Sequence, residues 1–422
     1  MPTSAVAVLW RTRKWGINLK NMAKVIIDEK LIEEILRRGV EHVYPEPGAL
    51  KKVLMSGKRI RIYCGFDPTG PDLHIGHGNQ LRKMAQFQKL GHEVIFLIGD
   101  FTARIGDPTD KLAARKQLTK KEVEKNFQGW KKQASSILDF GNKNPIKIMY
   151  NSKWHEKLKL SDALELGSKV TVQRMLERDM FEKRMQEGKP IYLHEFLYPL
   201  MQGYDSVVMD VDLEIGGNDQ TFNMLIGRDL MKTLKNKEKF VLTIKLLVDP
   251  NGKKMGKTEG NMVELSDSPE NMFGKIMSWP DEMIIEVFEI CTDVPLVEIK
   301  KMKEQMQTGT NPRNFKLLLA FEIVKIYKGE KAANEAQLNF IKVFSNKEIP
   351  EEVKSYKVES RKLLEILEET GLVTSRSEAR RVIEQGGVKI DNEVIKDVNF
   401  NLSSGEHLIQ KGKRFFVKVI IE

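Results

Sequence analysis

Residues 63–77 read YCGFDPTGPDLHIGH and connect an apolar, strand-like run to a helix-like segment. At the carboxyl end of a parallel strand, free backbone N–H groups and the positive end of the helix dipole form a binding place for phosphate. His74 and His77 are one helical turn apart and can both reach that phosphate. Gly76 between them lets a base or ribose approach the backbone closely. The stretch therefore predicts a strand–turn–helix unit with a phosphate site.

Two other interpretations of the histidines remain open at this point. They can be ordinary surface side chains, or they can begin a His-x-x-His zinc site, for which the neighbouring sequence supplies no third ligand. The two cysteines, Cys64 and Cys291, are too far apart in sequence for a metal-ligand spacing or a disulfide framework. We therefore predict no metal site.

Further strand-like runs alternate with helix-like segments on both sides of this stretch, which predicts βαβ units and a Rossmann-like parallel sheet. The predicted strands are Arg61 to Phe66, Val94 to Gly99, Ile146 to Tyr150, Leu213 to Gly217 and Phe240 to Val248. From Pro269 to about Phe344 the apolar residues recur at helical spacing, and Asn311-Pro312 marks the start of one helix. The last sixty or so residues predict a small α/β unit of two helices and short strands.

These patterns predict the following domains. They are a disordered or non-native basic extension (1–22), a Rossmann-like domain (23–262), an all-α domain (263–344), a linker (345–360) and a C-terminal module (361–422). The linker is predicted because 345–360 is polar, charged and contains Pro350.

Composition excludes several classes of protein. The chain has 422 residues and is 41% hydrophobic, which is enough for real cores and rules out a disordered or collagen-like chain. No apolar run is long enough to span a bilayer, so we expect no membrane insertion. The two cysteines do not have the spacing of a disulfide framework, which is typical of a protein in a reducing compartment. We therefore predict a cytoplasmic protein. The net charge of +10 favours a polyanionic partner such as nucleic acid.

The first 21 residues contain Arg11, Arg13, Lys14 and Lys20 but no acidic residue. Such a basic, acid-free leader is compatible with a mitochondrial presequence. Because Met22 immediately precedes an ordinary helix-like stretch, Glu29 to Arg38, an over-extended start is an equally open alternative.

A second cluster, residues 249–261, reads DPNGKKMGKTEGN directly after the last predicted strand of the sheet. Its glycines and Asp-Pro pair predict a flexible loop, and its lysines suit phosphate oxygens. A Walker A loop is excluded because Asn251 stands where the first glycine would have to be. Alone, the cluster is equally compatible with a solvated basic turn.

A row of polar residues on one helical face in the middle of the chain predicts a ligand-binding site. Tyr198, Gln202 and Asp205 fall on one helical face between apolar neighbours. Buried polar groups need partners, and a ligand can be that partner, although Tyr198 and Asp205 can also bond each other. Gly216-Gly217-Asn218-Asp219-Gln220 follows a strand, and its glycines allow a ligand close to the backbone.

Together these motifs identify a family resemblance. Phe66 to His77 resembles the first signature of the class I aminoacyl-tRNA synthetases, and Lys254-Met255-Gly256-Lys257-Thr258 resembles the second. From about Ile32 to the C-terminus the chain resembles the bacterial tyrosyl-tRNA synthetases, with further matching motifs at Ile105 to Thr109 and Ser168 to Thr171.

The resemblance implies a role for each matching residue. In the tyrosine site, Tyr63 and Asp205 would hold the phenolic hydroxyl, Gln220 would lie near the carboxylate, and the ammonium group would be held by Asp107, Tyr198 and Gln202. The catalytic residues at the ATP phosphates would be Thr69, His74, His77, Lys254 and Lys257. The remaining ATP-binding residues would be Cys64, Gly65, Asp67, Gly76, Lys111, Arg115, Gly217, Asp219 and Thr258.

The implied activity is that of a tyrosine–tRNA ligase, with L-tyrosine, ATP and tRNA(Tyr) as substrates. The carboxylate of tyrosine can attack the α-phosphorus directly, so positioning and cations are sufficient for the chemistry. Mg²⁺ is expected to enter with the ATP as part of the co-substrate, and no tightly bound cofactor is expected. The resemblance also implies that 23–262 is the catalytic domain and that the helical domain, 263–344, lies on the anticodon side. It further implies a homodimer joined through an insert near 154–201.

The C-terminal module carries cations along one helix edge and past a double-glycine turn, at Arg376, Arg380, Arg381 and Lys389. Such an edge can bind an RNA backbone, although a solvated helix face with ion pairs is the simpler interpretation. The segment resembles the small RNA-binding module that a ribosomal small-subunit protein shares with pseudouridine synthases. We therefore expect this module to bind transfer RNA.

Three rival functions fit the sequence less well. A tryptophanyl enzyme is disfavoured because it normally lacks the C-terminal module and the pair Tyr63 and Asp205. A nucleotidyltransferase with the same histidine motif would be shorter and would lack the loop from Lys254 to Thr258. A non-catalytic RNA-binding protein is disfavoured because the phosphate-facing residues are all present.

Overall fold

The computed structural model describes residues 23–107, 118–250, 262–345, 353–412 and 415–421. Two compact units are distinguished by their internal contacts. The first unit comprises Met1–Asp267 and Trp279–Lys328, and the second comprises Ser268–Ser278 and Gly329–Glu422.

The first unit contains a six-stranded sheet whose centre is formed by parallel strands. Its strands are β1 (Val40–Tyr44), β2 (Arg61–Phe66), β3 (Glu93–Ile98), β4 (Lys147–Tyr150), β5 (Leu213–Gly217) and β6 (Phe240–Ile244). They lie in the order β1-β6-β5-β2-β3-β4. All neighbours pair in parallel except β1 and β6, which are antiparallel. The predicted Rossmann-like sheet is confirmed.

The five predicted strands are present, with small differences at their ends. The strand predicted to run to Val248 ends at Ile244. All five residues of both β5 and β6 are buried, which is the continuous burial expected when helices cover both faces. Edge strand β1 was not predicted, because Glu41 and His42 are exposed and its pairing with β6 is irregular at Val40 and His42.

Helices connect these strands. They are α1 (Glu29–Arg37), α2 (Pro47–Met55), α3 (Ile75–Lys89), α4 (Lys120–Phe127), α5 (Trp130–Ala134), α6 (Ser152–His155), α7 (Leu160–Gly167), α8 (Val172–Leu176), α9 (Asp179–Gln186), α10 (Leu193–Met209) and α11 (Thr221–Lys235). Helices α10 and α11 pack closely, because Gly203 and Gly227 allow their backbones to approach. A Cβ atom at Gly203 would lie 3.2 Å from the backbone of Gly227.

The helical region predicted after Pro269 is confirmed. It contains α12 (Pro269–Met277), α13 (Ile284–Cys291), α14 (Leu296–Gln307), α15 (Pro312–Lys328) and α16 (Glu330–Ser345). Helix α15 begins at the predicted place, where the Asn311 side chain accepts a hydrogen bond of 2.9 Å from Arg313 N. The first unit contains α13, α14 and α15, whereas α12 and α16 belong to the second unit and pack on each other. The predicted domain 263–344 is therefore divided between the two units.

Three buried cations attach α1 and α3 to the residues around α13. Arg82 on α3 donates to Ile290 O at 2.9 Å and contacts Asp293, while Arg38 donates to Val294 O at 2.7 Å. Lys83 donates to Ile35 O at 2.6 Å and to Arg38 O at 3.0 Å. Burial lowers the pKa of Lys83 to about 7. Helix α3, which begins at the predicted phosphate site, is therefore held by polar contacts along its length.

The C-terminal module has a five-stranded sheet in the order β7-β11-β10-β8-β9. Its elements are β7 (Lys354–Val358), α17 (Leu363–Glu369), α18 (Arg376–Glu384), β8 (Val388–Ile390), β9 (Glu393–Ile395), β10 (Gly405–Lys411) and β11 (Phe415–Ile421). Residues of both helices and of four strands form one buried core. The predicted unit of two helices and short strands is present.

The predicted linker, 345–360, is wrong for residues 354–358. These residues form β7, which pairs in parallel with β11 from Lys354 opposite Val417 to Val358 opposite Ile421. The polar sequence misleads because β7 is an edge strand, of which only Val358 is buried.

Within the described residues, none of the helices combines the length and the apolar composition that crossing a membrane requires.

Candidate active site

The sheet order creates a topological switch point between β2 and β5. From β2 the chain progresses to β3 and β4 on one side, and from β5 it progresses to β6 on the other. Ligands of open α/β sheets bind at the carboxyl ends of the strands at such a point. Here the carboxyl ends carry the residues after Phe66 and Gly217. The motifs predicted from sequence at 63–77 and 216–220 are therefore brought together.

The two histidines form the first turn of α3. His74 is the N-cap residue, and its Nδ1 accepts a hydrogen bond of 3.1 Å from Gly76 N. Nδ1 of His77 accepts from His74 N at 3.2 Å, and the two rings stack with centroids 3.7 Å apart. Because each Nδ1 accepts, each neutral ring carries its hydrogen on Nε2. Two N–H donors at a helix N-terminus suit phosphate oxygens.

Local packing also explains why a glycine occupies position 76, in addition to the predicted approach of a ligand. A Cβ atom there would lie 2.9 Å from Cε1 of His74. Any other residue at this position would push the His74 ring out of the cap. The described residues contain no group of three or more His, Cys, Asp or Glu side chains placed to hold a metal ion.

Asp67 follows β2 and is bound by two hydroxyl groups. Tyr198 OH donates to its Oδ2 at 2.8 Å, and Thr102 Oγ1 donates to its Oδ1 at 2.7 Å. Gly99 makes room for this carboxyl, since a Cβ atom there would lie 1.9 Å from Oδ1. The alternative in which Tyr198 bonds Asp205 is therefore wrong, because Tyr198 bonds Asp67.

Tyr63 and Asp205 are both buried, and they share Trp154 as a neighbour. Tyr63 packs among the side chains of β3, β4 and the loop after α10, with Trp154 beside it. Its hydroxyl lies 2.9 Å from Ser206 Oγ, next to Asp205 on α10. Burial, followed by the nearby charges of Glu214 and Asp205, raises the pKa of Tyr63 well above its usual value. The hydroxyl is therefore a neutral hydrogen-bonding group.

Asp205 is held by three side chains that sequence reasoning missed. Trp154 Nε1 and His155 Nε2 both lie 2.7 Å from Oδ1, and Asn151 Nδ2 lies 3.2 Å from Oδ2. All three follow β4, at the same edge of the sheet as the other motifs. A polar residue directly after a parallel strand, as Asn151 is after Tyr150, was the available signal.

Two of the three predicted ammonium ligands, Asp107 and Gln202, are connected through side-chain amides. Gln220 Nε2 donates to Asp107 Oδ2 at 2.6 Å, and Arg178 Nη2 donates to Asp107 Oδ1 at 3.1 Å. Asn223 Nδ2 donates at 3.0 Å to Oε1 of both Gln202 and Gln220. Asp107, Gln202 and Gln220 thus belong to one network, whereas Tyr198 belongs to the neighbouring pair with Asp67.

A buried ion pair, Glu214 with Lys239, lies behind this network and was also missed. Lys239 is fully buried and Glu214 is 2% exposed. Lys239 Nζ contacts Glu214 Oε2 and donates to Ser206 Oγ at 2.9 Å, and Gln202 Nε2 donates to Glu214 Oε1 at 3.0 Å. The pair therefore supports both Ser206, beside the Tyr63 hydroxyl, and Gln202.

The remaining predicted residues are distributed as follows. Asp219 approaches the strand end, since a Cβ atom at Gly217 would lie 2.5 Å from its Oδ1. Thr69 and Gly65 are exposed at the switch point, and burial raises the pKa of the Cys64 thiol well above its usual value. The predicted phosphate-binding residues Lys111, Arg115, Lys254, Lys257 and Thr258 lie outside the described residues.

Comparison with known proteins agrees with this geometry. A family model described as tRNA synthetases class I (W and Y) matches residues 55–345, and an S4 domain model matches 361–408. A tyrosine–tRNA ligase of Carboxydothermus hydrogenoformans is 46% identical over 403 residues, covering 92% of this chain and 97% of that protein. One of Thermotoga maritima is 43% identical over 390 residues, covering 92% and 96%.

This chain belongs to the tyrosine–tRNA ligase family. The solved structure of a C-terminally truncated mitochondrial tyrosyl-tRNA synthetase of Aspergillus nidulans has a TM-score of 0.64 at 26% identity, covering 74% of this chain and 94% of that one. A tyrosyl-tRNA synthetase of Archaeoglobus fulgidus, at 21% identity and a TM-score of 0.57, shares the fold and covers 74% of this chain and 99% of its own. The predicted family and fold class are confirmed.

The S4 domain of this tyrosine–tRNA ligase carries the predicted cations on its surface. Arg376, Arg380 and Arg381 lie on α18 and Lys389 lies on β8, and all four are exposed. Arg376 Nε donates to Glu368 Oε2 at 3.0 Å, so one of the four has a protein partner. Gly386, with φ of 69°, makes the turn between α18 and β8. RNA binding by these residues stays a prediction.

Asp67 is expected to make the stability of this protein depend on pH. Burial raises the pKa of Asp67 from 3.8 to about 7, although the hydroxyls of Thr102 and Tyr198 oppose the shift. Between these two values the folded chain binds a proton at Asp67 that the unfolded chain has lost, so stability falls as the pH rises. Relative to Asp67→Asn, the free energy of unfolding should fall by on the order of a few kcal/mol from pH 4 to pH 8.

Urea unfolding of both proteins at several pH values measures this difference. Asp229→Asn is the matched control, because Asp229 is exposed, and it should keep the pH slope of the unmodified protein. Parallel curves for the unmodified protein and Asp67→Asn would contradict the expectation.

Proposed function

We propose that this member of the tyrosine–tRNA ligase family activates L-tyrosine with ATP and transfers it to the 3′-terminal adenosine of tRNA(Tyr). The observation that carries the proposal is that the buried side chains of Tyr63 and Asp205 share Trp154 as a neighbour, while β2, which contains Tyr63, is followed by the histidine-capped N-terminus of α3. Tyr63 and Asp205 offer hydrogen-bonding groups for a phenolic hydroxyl, and the helix terminus offers donors for phosphates.

In the first step, a carboxylate oxygen of tyrosine attacks the α-phosphorus of ATP, the bond to the β-phosphate breaks, and pyrophosphate leaves. The residues proposed for tyrosine are Tyr63 and Asp205 at the hydroxyl, Gln220 near the carboxylate, and Asp107, Tyr198 and Gln202 at the ammonium group. The network that joins Asp107, Gln202 and Gln220 supports this assignment, because it fixes polar groups before substrate arrives.

The residues proposed for the phosphates are Thr69, His74 and His77, joined by Lys111, Arg115, Lys254 and Lys257. Nε2 of each imidazole is directed to donate, which stabilises negative charge that builds up on the phosphates. Mg²⁺ is proposed to enter as the partner of the ATP phosphates, since a hard cation prefers their oxygens. In the second step a ribose hydroxyl attacks the carbonyl carbon of tyrosine and AMP leaves.

We also propose a homodimer joined through the predicted insert near 154–201. This segment exposes a series of large apolar side chains: Leu160, Leu164, Val172, Met185, Tyr192 and Leu193. Leu160 and Leu193 are 77% and 79% exposed, which is unusual for leucine beside so many apolar neighbours in sequence. A cytoplasmic location is proposed because Cys64 and Cys291 are buried and unpaired.

Amino-acid-dependent exchange of pyrophosphate into ATP tests the proposed activation step. With each of the twenty amino acids in turn, tyrosine alone should support rapid exchange. Rapid exchange with tryptophan, or no exchange with any amino acid, would contradict the proposal. For the transfer step, tRNA(Tyr) should accept tyrosine, and the same RNA without its terminal adenosine is the control that should not.

A further inference from the structure

The carboxylate of Asp205 is unusually well supplied with donors. Trp154 Nε1 and His155 Nε2 both reach Oδ1 at 2.7 Å, whereas Oδ2 has Asn151 Nδ2 at 3.2 Å. A carboxylate oxygen has two lone-pair directions. Both directions of Oδ1 are therefore used by protein, and one direction of Oδ2 remains for a hydroxyl donor.

His155 is fixed in place for this contact. Its side chain is fully buried, and its ring packs against Phe101 and Tyr204, with centroids 5.3 Å and 5.8 Å away. Since a carboxylate only accepts, the hydrogen of the ring lies on Nε2. Nδ1 of His155 is buried and has no hydrogen-bond partner among the described residues.

A buried nitrogen without a partner destabilises a protein. An apolar residue of similar size would avoid that penalty if position 155 only filled space. The contact that an apolar residue would lose is the one to Oδ1 of Asp205. The geometry therefore indicates that the hydrogen bond to Asp205, more than the filling of space, explains the presence of a histidine at position 155.

We propose that His155 is a positioning residue for tyrosine recognition. Together with Trp154, it holds Oδ1 of Asp205 so that Oδ2 faces the phenolic hydroxyl of the substrate. This inference rests on the proposed function, in which Asp205 binds that hydroxyl. His155 does not touch the substrate and acts through Asp205.

Competitive inhibition by L-tyrosinol and L-phenylalaninol tests the proposed role of His155, because the two compounds differ only in the phenolic hydroxyl. In the full-length enzyme, His155→Leu should raise the inhibition constant of tyrosinol about tenfold, which is the effect of one hydrogen bond to a charged group. The inhibition constant of phenylalaninol should stay almost unchanged. His155→Gln should restore most of the preference, because its amide can place a donor near the position of Nε2. His155→Asn, which is too short, should not.

His92→Leu is the matched control for loss of a buried histidine. His92 is 1% exposed and also has one ring nitrogen without a partner among the described residues, but it lies outside the pocket. It should lower stability without changing the ratio of the two inhibition constants. Equal weakening of both inhibitors by His155→Leu and His155→Asn, or no weakening, would overturn the inference. If Asp205→Asn also left tyrosinol unaffected, the proposed tyrosine pocket itself would be wrong.

Discussion

Asp205→Ala is expected to lower kcat/KM for tyrosine in pyrophosphate exchange by about 100-fold. A hydrogen bond to a charged group contributes about 1.5–3 kcal/mol, which corresponds to roughly 10- to 100-fold. The substitution also leaves the donors of Asn151, Trp154 and His155 without their acceptor. The loss should appear mainly as a higher KM for tyrosine, with the KM for ATP little changed.

Lys257→Ala provides the comparison for the other end of the site. Because Lys257 is proposed to act on the phosphates, its loss should slow adenylation while tyrosine affinity stays the same. Single-turnover kinetics separates the two parameters. The opposite pattern, with Asp205→Ala affecting only the chemical step and Lys257→Ala only tyrosine affinity, would mean that the proposed roles are exchanged.

Lys239→Met is expected to destabilise the first unit by about 3–5 kcal/mol, the usual effect of removing one partner from a buried ion pair. Glu214 would be left buried with a charge and without its cation. Burial lowers the pKa of Lys239, so the folded protein already bears a desolvation penalty that the contact with Glu214 offsets. Urea unfolding, followed by a signal from the first unit, measures the change.

Two further variants separate the ion pair from simple packing. Lys239→Met combined with Glu214→Gln should recover much of the stability, because no unpaired charge remains. Lys58→Met is the surface control within the same unit, since the Lys58 side chain is 63% exposed and its Nζ lies 3.5 Å from Asp212 Oδ1, and it should change stability little. If Lys239→Met behaved like Lys58→Met, the buried pair would not support the site in the way described.

The central sheet could be predicted from sequence because its strands are buried on both faces. β3 is apolar from Val94 to Ile98, all five residues of β5 are buried, and a helix-length segment separates each strand from the next. Edge strands β1 and β7 lack that pattern, since two of the five residues of β1 and three of the five residues of β7 are exposed. The hairpin of β8 and β9 had a local signal, the pair Asp391-Asn392, whose positive φ angles of 49° and 73° form the turn.

The site was predictable where its residues are close in sequence. His74 and His77, or Tyr198 and Asp205, have a spacing that indicates a shared face. The contact of His155 with Asp205 spans 50 residues and has no local signal. Lys239 follows the polar stretch of residues 236–238, which reads as an exposed turn. Glu214 was the better clue, because a lone acid in a buried strand requires a partner.

The order of the strands has a consequence for synthesis on the ribosome. β5 and β6 lie between β1 and β2, so the middle of the sheet is made after both of its flanks. A nascent chain that ends before Leu213 leaves the inner edges of β1 and β2 unpaired, and such edges are templates for aggregation. Translation that stops before Leu213 therefore yields fragments that need chaperones or proteolysis. A chain extended beyond Ile244 contains β5 and β6 and can pair the inner edges of β1 and β2.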